Sequence, residues 1–208
     1  AVKMNIIRID KNNSNYPEAL NLYLTNTAPK VITTIGSLEI LKNKTLAVFS
    51  SAKCPGKIIL KTYDLMRDLR GKGVTVISGF HSPMEQECLN ILLKGKQPVI
   101  VCPARSIEGM RIKAEFKKPL EDGRLLFISM FTEKKKRISS DKSLERNRFV
   151  AEIADKIFVP YAEPNSKTET FCRELIEKGK TVLTFDSGHN KNLIALGAAV
   201  IDIEARQG

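Results

Sequence analysis

The stretch that decides the fold is Val74-Thr75-Val76-Ile77-Ser78-Gly79-Phe80-His81-Ser82-Pro83-Met84-Glu85. Its first part, Val74–Ser78, is nearly all β-branched and apolar, which predicts a strand that is covered on both faces. Ser82 and Glu85 then form a capping box with proline at the first helical position, which predicts that a helix begins there. A strand, a short loop and a capped helix are the opening of a βαβ unit.

The same alternation continues along the chain from about residue 45. Further strand candidates are Thr45–Ser50, Pro98–Cys102, Leu125–Met130, Lys156–Tyr161, Thr181–Phe185 and Ala199–Ile201. Apolar residues at helical spacing predict a helix over Lys57–Arg70, and a second capping box at Ser166–Glu169 opens a helix that stops at Gly179. The pattern predicts a doubly wound, mostly parallel α/β sheet of Rossmann type.

Residues 1–43 lack this alternation. Tyr16–Leu20 and Ala28–Leu41 are interpreted as a small helix and connectors that pack on the sheet. We therefore expect an N-terminal extension over 1–43 and a Rossmann-like domain over 44–208, which is long enough to bury a full core.

The charge of the chain is high and uneven. The 208 residues carry a net charge of +11, and residues 105–148, with 13 lysines and arginines against seven acidic residues, supply +6 of it. Such a local excess attracts polyanions such as nucleic acid or anionic membrane, although a solvated basic loop has the same composition.

The four cysteines form no CxxC pair, and with only two histidines the chain shows no metal-ligand spacing. We therefore predict reduced thiols, no metal and a cytoplasmic location. No apolar run approaches the roughly 18 residues that a membrane span needs, and the N-terminus does not resemble a signal peptide, so no membrane partner is predicted.

Ligands of doubly wound sheets bind beyond the carboxyl ends of the strands. Four loops are predicted to meet there: Ser50–Gly56, Gly79–Ser82, Pro103–Gly109 and Ala162–Ser166. The first contains one glycine, so it fits neither the GxGxxG fingerprint of dinucleotide sites nor a P-loop, and no cofactor is predicted. It offers Ser51, Lys53 and backbone N–H groups as a modest anion site, with a plain turn as the alternative.

Candidate catalytic residues are weak. His81 is isolated in a loop, Glu169 is accounted for by its capping box, and Cys54, beside Lys53, has a position that can lower a thiol pKa. No arrangement of serine, cysteine, histidine and aspartate singles out a nucleophile, so no catalytic residue is predicted.

The segment Ser143-Leu144-Glu145-Arg146-Asn147-Arg148 follows a cationic run at residues 134–137. Residues two apart on a helix point to different sides, but near a helix N-terminus both guanidiniums can flank one anion that also meets free backbone N–H groups. The sequence therefore predicts a phosphate site at Arg146 and Arg148. An ion pair of either arginine with Glu145 or Glu152 is the structural alternative, and Arg148 and Glu152 have the i,i+4 spacing for it.

Several motifs, in the right order over nearly the whole chain, resemble the Rossmann-type core of the DNA-processing protein A (DprA/Smf) family. The most specific is Arg146-Asn147-Arg148-Phe149-Val150-Ala151, which is similar to the family's R-N-R-I-I-A. The others are Tyr16–Leu20 (YP-x-x-L), Pro29–Leu38 (P-x-x-L-x-x-x-G-x-L), Ala47–Ser51, Val76–Phe80 (V-V-S-G-L), Ser166–Lys180 and Asn192–Ala198 (N-x-L-I-x-x-G-A).

The chain also departs from the family pattern. Ala52 stands where the first loop of the family has a phosphate-binding arginine, with Lys53 as a substitute, and Lys167 replaces the glycine of its S-G-S motif. His81–Leu89 retains little of the family's A-x-G-I-D-x-x-A-H. We therefore expect a divergent relative that comprises the core alone.

The resemblance implies a non-catalytic protein that binds single-stranded DNA and loads a RecA-type recombinase in transformation or recombination, with a homodimer as a further family property. It implies a phosphate-binding set of Ser51, Lys53, Gly79, Arg146, Asn147, Arg148, Ser166 and Lys167. Single-strand sites combine a cationic groove with stacking rings. Phe80, Phe131 and Tyr161 are the rings near the predicted strand ends.

Two alternatives stay open. One is a nucleotide-binding enzyme or sensor related to the LOG-type phosphoribohydrolases, with Glu169 as its catalytic residue, although Glu163–Thr168 lacks the glycine pair of that group. The other is a degenerate scaffold that binds only protein partners.

Overall fold

The computed structural model of the chain describes residues 5–20, 28–132 and 140–201. Nine strands of these residues form one sheet in the order β1-β2-β6-β5-β4-β3-β7-β8-β9. The strands are β1 Ile7–Asp10, β2 Val31–Gly36, β3 Thr45–Val48, β4 Thr75–Ser78, β5 Val99–Val101, β6 Leu125–Ser129, β7 Lys156–Phe158, β8 Val182–Thr184 and β9 Ala199–Val200. Every pairing from β6 to β9 along this order is parallel, so the predicted doubly wound α/β sheet is confirmed.

Helices follow the parallel strands and cover both faces of the sheet. They are α1 Gly56–Leu69, α2 Pro83–Leu93, α3 Ala114–Glu121, α4 Ser140–Ile153, α5 Lys167–Glu177 and α6 Lys191–Leu196, with 3₁₀ turns at Leu38–Lys42 and Gly188–Asn190. The capping box predicted at the start of α2 is present, with Ser82 Oγ accepting from the Glu85 amide and the Glu85 carboxylate accepting from the Ser82 amide. Among the described residues, no helix has the length and apolar character to cross a bilayer.

Two apolar cores lie on opposite faces of the sheet, because successive strand residues point to opposite sides. In β3, Leu46 and Val48 enter one core, while Ala47 and the following Phe49 enter the other. β5 and β6 divide their side chains in the same way. Strands that are buried on both faces explain the continuous hydrophobic runs in the sequence.

The interpretation of Ala28–Leu41 as a small helix and connectors is wrong for Val31–Gly36. This segment is β2, a strand paired antiparallel with both β1 and β6. Five consecutive β-branched residues, 31–35, favour a strand because their side chains pack well on a pleated surface. Residues 7–10 and 31–36 therefore extend the sheet itself, whereas the division of the chain at residues 43 and 44 stays a prediction.

The topology also locates the ligand crevice. β3 lies between β4 and β7, and the chain proceeds in opposite directions across the sheet from this strand. Such a switch point opens a crevice at the carboxyl ends of the two strands beside it, here β3 and β7. The loops that follow these strands begin at Phe49 and Val159.

Candidate functional site

Hydrogen bonds connect the loops after β3 and β7 at the switch point. The Ser51 amide donates to the Tyr161 carbonyl over 3.0 Å, and Ser51 Oγ accepts from the Glu163 amide over 3.0 Å. Ser51 is buried. The main role of the Ser51 side chain is therefore to join the two loops. Its hydroxyl hydrogen is still able to donate a hydrogen bond to a ligand.

A cavity of about 220 Å³ opens beside these loops, and we call it the switch-point groove. The rings of Phe49 and Phe171 form part of its lining and meet edge to face, with centroids 5.4 Å apart. Polar groups on the lining come from Ser50, Glu85, Ser140, Ser143, Asn147, Lys167 and Thr168. Because both rings are buried, they act as an apolar base under this polar layer and not as exposed stacking platforms.

The N-terminus of α5 points into the switch-point groove. Ser166 caps this helix, with Oγ accepting from the Glu169 amide over 3.2 Å. In the part of the chain that the structure describes, no acceptor meets the amides of Lys167 and Thr168. Free amides, the positive end of the helix dipole and the exposed Lys167 ammonium together favour an anion here.

Of the capping box predicted at Ser166–Glu169, only the serine cap is present. Ser166 is the cap, but the Glu169 carboxylate accepts from the Asn165 amide over 2.9 Å and from Asn192 Nδ2 over 2.6 Å. Asn165 has a φ of 60°, a left-handed conformation that asparagine adopts more readily than most residues. The side chain of Glu169 therefore shapes the loop before α5 and ties it to α6.

These hydrogen bonds lower the pKa of Glu169, with the bond from Asn192 as the largest cause. A carboxylate stabilised in its charged form is a poor proton donor at neutral pH, and each oxygen of Glu169 already accepts a hydrogen bond from the protein. The alternative of a phosphoribohydrolase-like enzyme therefore gains no support from this residue.

Arg146 and Arg148 do not lie near a helix N-terminus, so that part of the prediction is wrong. They are the seventh and ninth residues of α4, which begins at Ser140. Their guanidiniums consequently diverge, as residues two apart on a helix do. The structure does not bring the two around one anion.

Arg146 is buried at the carboxyl ends of β4 and β5, with 5% of its surface exposed. Nη1 donates to the Cys102 carbonyl over 3.0 Å, and Nε donates to Asn147 Oδ1 over 2.7 Å. The guanidinium lies against the backbone of Gly79, where a Cβ would come within 1.3 Å of Nη1. Gly79 is therefore needed for this close approach, and Arg146 locks two strand-end loops to α4.

Asn147 presents its amide to the switch-point groove. Its Oδ1 is occupied by Arg146 Nε, which orients the side chain. Nδ2 has no acceptor among the described residues and remains as a donor for a ligand. Arg146 thus acts on the groove through Asn147 and by adding a buried positive charge beneath it.

Arg148 is bound to Glu174 of α5, and not to Glu145 or Glu152. Its Nε and Nη2 donate to the two carboxylate oxygens over 3.0 Å each. This bidentate pair raises the pKa of Arg148 and lowers the pKa of Glu174, in each case mainly through the hydrogen bonds between them. Arg148 therefore clamps α4 to α5, while its predicted contact with phosphate stays a prediction.

The remaining sequence candidates fall as follows. Lys53 is exposed in the loop after β3, at the same edge of the sheet as Lys167. Phe80 is buried in a left-handed conformation with a φ of 48°. Phe131 and Tyr161 are half-buried, and the ring of Phe131 lies 5.6 Å from Lys142 Nζ. The cationic run at 134–137 lies outside the described residues.

The position of Cys54 beside Lys53 does not lower the pKa of its thiol; burial raises this pKa to about 11. His81 is exposed in the loop before α2, where its amide donates to the Glu85 carboxylate. Within the described ranges, no three potential metal ligands come together.

Of the ten residues that line the groove, the predicted phosphate-binding set contains two, Asn147 and Lys167. It omits Phe49, Ser50, Glu85, Ser140, Ser143, Leu144, Thr168 and Phe171. Phe49 lies next to the end of the predicted strand Thr45–Ser50, and Thr168 is the second residue of a capped helix, so position relative to those elements was the available signal. The approach of Phe171 to Phe49 depends on how α5 packs on the sheet, and no local pattern shows it.

Comparison with known proteins gives one family and a set of similar folds. The profile of the DNA recombination-mediator protein A family matches residues 7–206. Among curated proteins, none matches the sequence at a significant level.

Two solved structures of DNA processing protein A resemble the chain closely in fold. The protein from Streptococcus pneumoniae has a TM-score of 0.75 at 18% identity, over 95% of this chain and 71% of its own. The protein from Helicobacter pylori, described for its single-stranded DNA binding mode, has a TM-score of 0.75 at 19% identity, over 96% and 92%.

A more distant neighbour is the molybdenum cofactor binding protein of Rippkaea orientalis, with a TM-score of 0.52 at 11% identity over 77% of this chain and 90% of its own. These likenesses show a shared Rossmann-like fold. The profile match covers nearly the whole sequence and confirms the family resemblance of the motifs: the chain belongs to the DNA recombination-mediator protein A family and is a DNA-processing protein.

Proposed function

We propose that this protein binds single-stranded DNA through the switch-point groove and that it loads a RecA-type recombinase onto the bound strand. The observation that carries the proposal is a set of unoccupied donors from two helices that line the groove: the amides of Lys167 and Thr168 and the Lys167 ammonium from α5, and Asn147 Nδ2 from α4. All of them suit a phosphate, and none has an acceptor among the described residues.

The charges around the groove decide where a phosphate would lie. Glu85 lines the groove, but its carboxylate accepts from the amides of His81 and Ser82 at the start of α2. Its charge is therefore offset by a helix N-terminus, and the α2 side still repels an anion more than the α5 side does. We place the phosphate contact on the α5 side and assign to it two exposed cations, Lys167 on the groove lining and Lys53 in the loop after β3.

A polymer fits this site better than a dinucleotide cofactor. The loop after β3 lacks the glycines that let a backbone approach a pyrophosphate. The cationic excess over 105–148 extends beyond any single small ligand. A chain of phosphates uses such a spread of charge because each contact releases counterions.

The structural roles of the arginines refine the predicted phosphate set. We assign direct contacts to Lys53, Asn147 and Lys167, and positioning roles to Ser51, Gly79, Arg146 and Ser166, since each of these four already holds part of the groove's framework. Arg148 reaches a phosphate only by leaving Glu174. Recombinase loading and a homodimer are proposed from family membership.

The direct experiment is the affinity for a labelled oligo-dT, measured by fluorescence anisotropy at increasing salt. The logarithm of the association constant should fall linearly with the logarithm of the salt concentration, and each lost phosphate contact should reduce the slope by about 0.7. We expect this loss for Lys53→Ala and for Lys167→Ala. Lys44→Ala and Lys72→Ala make the same change of charge just before β3 and β4, at the opposite edge of the sheet, and serve as controls.

If the salt dependence of the affinity had the same slope in all four variants, the binding would depend on overall charge alone, and the groove would be refuted as the site. A wild-type protein without affinity for the strand would refute the proposed function as a whole. Loading has its own assay, in which this protein must speed assembly of a RecA-type filament on a strand covered by single-strand-binding protein.

A further inference from the structure

A second cavity lies on the other side of the loop that follows β4. Its volume is about 400 Å³, and it is enclosed by that loop, by the segment between β5 and α3, and by one side of α2. Apolar groups of Phe80, Met110 and Phe116 form part of its wall, and Arg105, Arg111 and Lys113 line it with positive charge. We call it the α2–α3 cavity.

Two of these cations are available to a ligand. Arg105 and Arg111 are exposed, and neither guanidinium has a hydrogen bond or ion pair among the described residues. Lys113, by contrast, is engaged: its Nζ lies 3.6 Å from Glu115 and 5.9 Å from the centre of the Phe116 ring. The free positive charge of the cavity therefore comes from the two arginines.

The lining indicates the chemistry of the occupant. Half-buried Phe116 meets Phe127 edge to face at 5.3 Å, so a flat apolar surface stands next to two guanidiniums. A simple anion would not use the apolar wall, and an aliphatic ligand would not use the arginines. A nucleobase together with its own phosphate uses both, because rings and arginine planes stack on bases while arginine binds phosphate.

The α2–α3 cavity and the switch-point groove are neighbours. Glu85 lines the groove, and the next residue of α2, Gln86, lines the cavity. On the side of α4, Gly79 lines the cavity, with the Arg146 guanidinium packed against it, and Asn147 lines the groove. The ridge between the two sites is therefore formed by the first turn of α2 and by the contact of Arg146 with Gly79.

We propose that the α2–α3 cavity accepts one unstacked nucleotide of the strand that the switch-point groove binds, with its base against Phe116 and Met110 and its phosphate on Arg105 and Arg111. This assignment rests on the proposed function, since it extends the path of the same strand over the Gly79 ridge. It gives single-strand preference a structural cause, because a base within a duplex cannot leave its partner without cost.

The test combines salt-dependent affinity with photo-crosslinking. Replacing both arginines, Arg105→Ala with Arg111→Ala, should lower the salt slope for oligo-dT by up to about 1.4, whereas Lys44→Ala with Lys72→Ala should leave it unchanged. Phe116→Leu keeps an apolar side chain in place and should weaken binding about 5-fold or more through lost stacking.

An oligonucleotide with 5-iododeoxyuridine at each position in turn should crosslink to residues 105–116 at one or two positions, a result that a merely structural role of Phe116 would not produce. If the wild-type protein binds the strand and crosslinks only around the switch-point groove, with the arginine variant unchanged in slope, the α2–α3 cavity is not part of the site while the proposed function stands. If the wild-type protein does not bind the strand, both proposals fall.

Discussion

Replacing Gly79 with alanine should displace the buried guanidinium of Arg146. A Cβ at this position would lie 1.3 Å from Nη1, 2.0 Å from Cζ and 2.6 Å from Nη2, all far inside van der Waals contact. The side chain must therefore leave its place and give up the 3.0 Å hydrogen bond to the Cys102 carbonyl. A hydrogen bond to a charged group contributes about 1.5–3 kcal/mol, and rehydration of the freed guanidinium offsets part of this loss.

We expect Gly79→Ala to lower the free energy of unfolding by about 2 kcal/mol. For a protein of this size the midpoint of thermal unfolding should then fall by about 4–8 °C. Circular dichroism during thermal and urea unfolding measures both quantities. Because Asn147 loses the partner that orients it, the affinity for oligo-dT should fall as well.

A double-mutant cycle with Arg146→Ala isolates the contact. In the Arg146→Ala background no guanidinium lies against position 79. Gly79→Ala should then lower the free energy of unfolding by about 0.5 kcal/mol or less. The coupling between the two substitutions should then reach about 1.5 kcal/mol. Additive effects, within about 0.5 kcal/mol, would show that the guanidinium does not pack on Gly79 and would refute the reasoning.

Four further outcomes are expected. Arg148→Ala should cost at most about 1 kcal/mol because its pair with Glu174 is partly exposed. Because the pKa of Glu174 is lowered in the folded protein, its pair with Arg148 stabilises the fold at pH values above the unfolded pKa of about 4.3. This stabilisation is lost as the pH falls through the folded pKa. Glu174→Gln should therefore make the midpoint of thermal unfolding depend less on pH between about pH 6 and 3. Ser51→Ala should lower the free energy of unfolding in urea by about 1 kcal/mol, since the Glu163 amide loses its acceptor. A complete loss of DNA binding without any loss of stability would contradict the role of Ser51 in joining the two loops. Cys54, with a pKa of about 11, should react with iodoacetamide at pH 8 far more slowly than a free thiol, and rapid labelling would contradict its burial.

The sequence was sufficient for the parallel part of the sheet. The strands from β3 to β8 lie within mostly apolar runs, and burial on two faces explains these runs, whereas the edge strand β9 is exposed. Val31–Gly36 carried an equally clear β-branched signal, but it was assigned to connectors because it stands outside the alternation with helices. Its antiparallel place beside β6 depends on pairing across nearly 100 residues.

The sequence predicted the edge of the sheet at which the candidate groove opens, but not the contacts between the residues around it. The rule for doubly wound sheets indicated this edge, and the capping serine Ser166 correctly predicted the start of α5. The roles of Arg146 and Arg148 depended on where α4 begins. The sequence offers two consecutive serines at 139 and 140 as caps, and neither is followed three residues later by the Glu or Gln of a capping box. Their partners, Cys102 and Glu174, lie on other elements and become visible only when the helices are packed.

The most direct test of the central claim, that single-stranded DNA lies in the switch-point groove, is amide hydrogen exchange of the protein with and without a saturating oligo-dT. Exchange should slow in the loop after β3, residues 49–57, and across the start of α5, residues 163–170, where the free amides of Lys167 and Thr168 would meet phosphate. Protection confined to other parts of the chain, with both segments unchanged while the strand is bound, would contradict it.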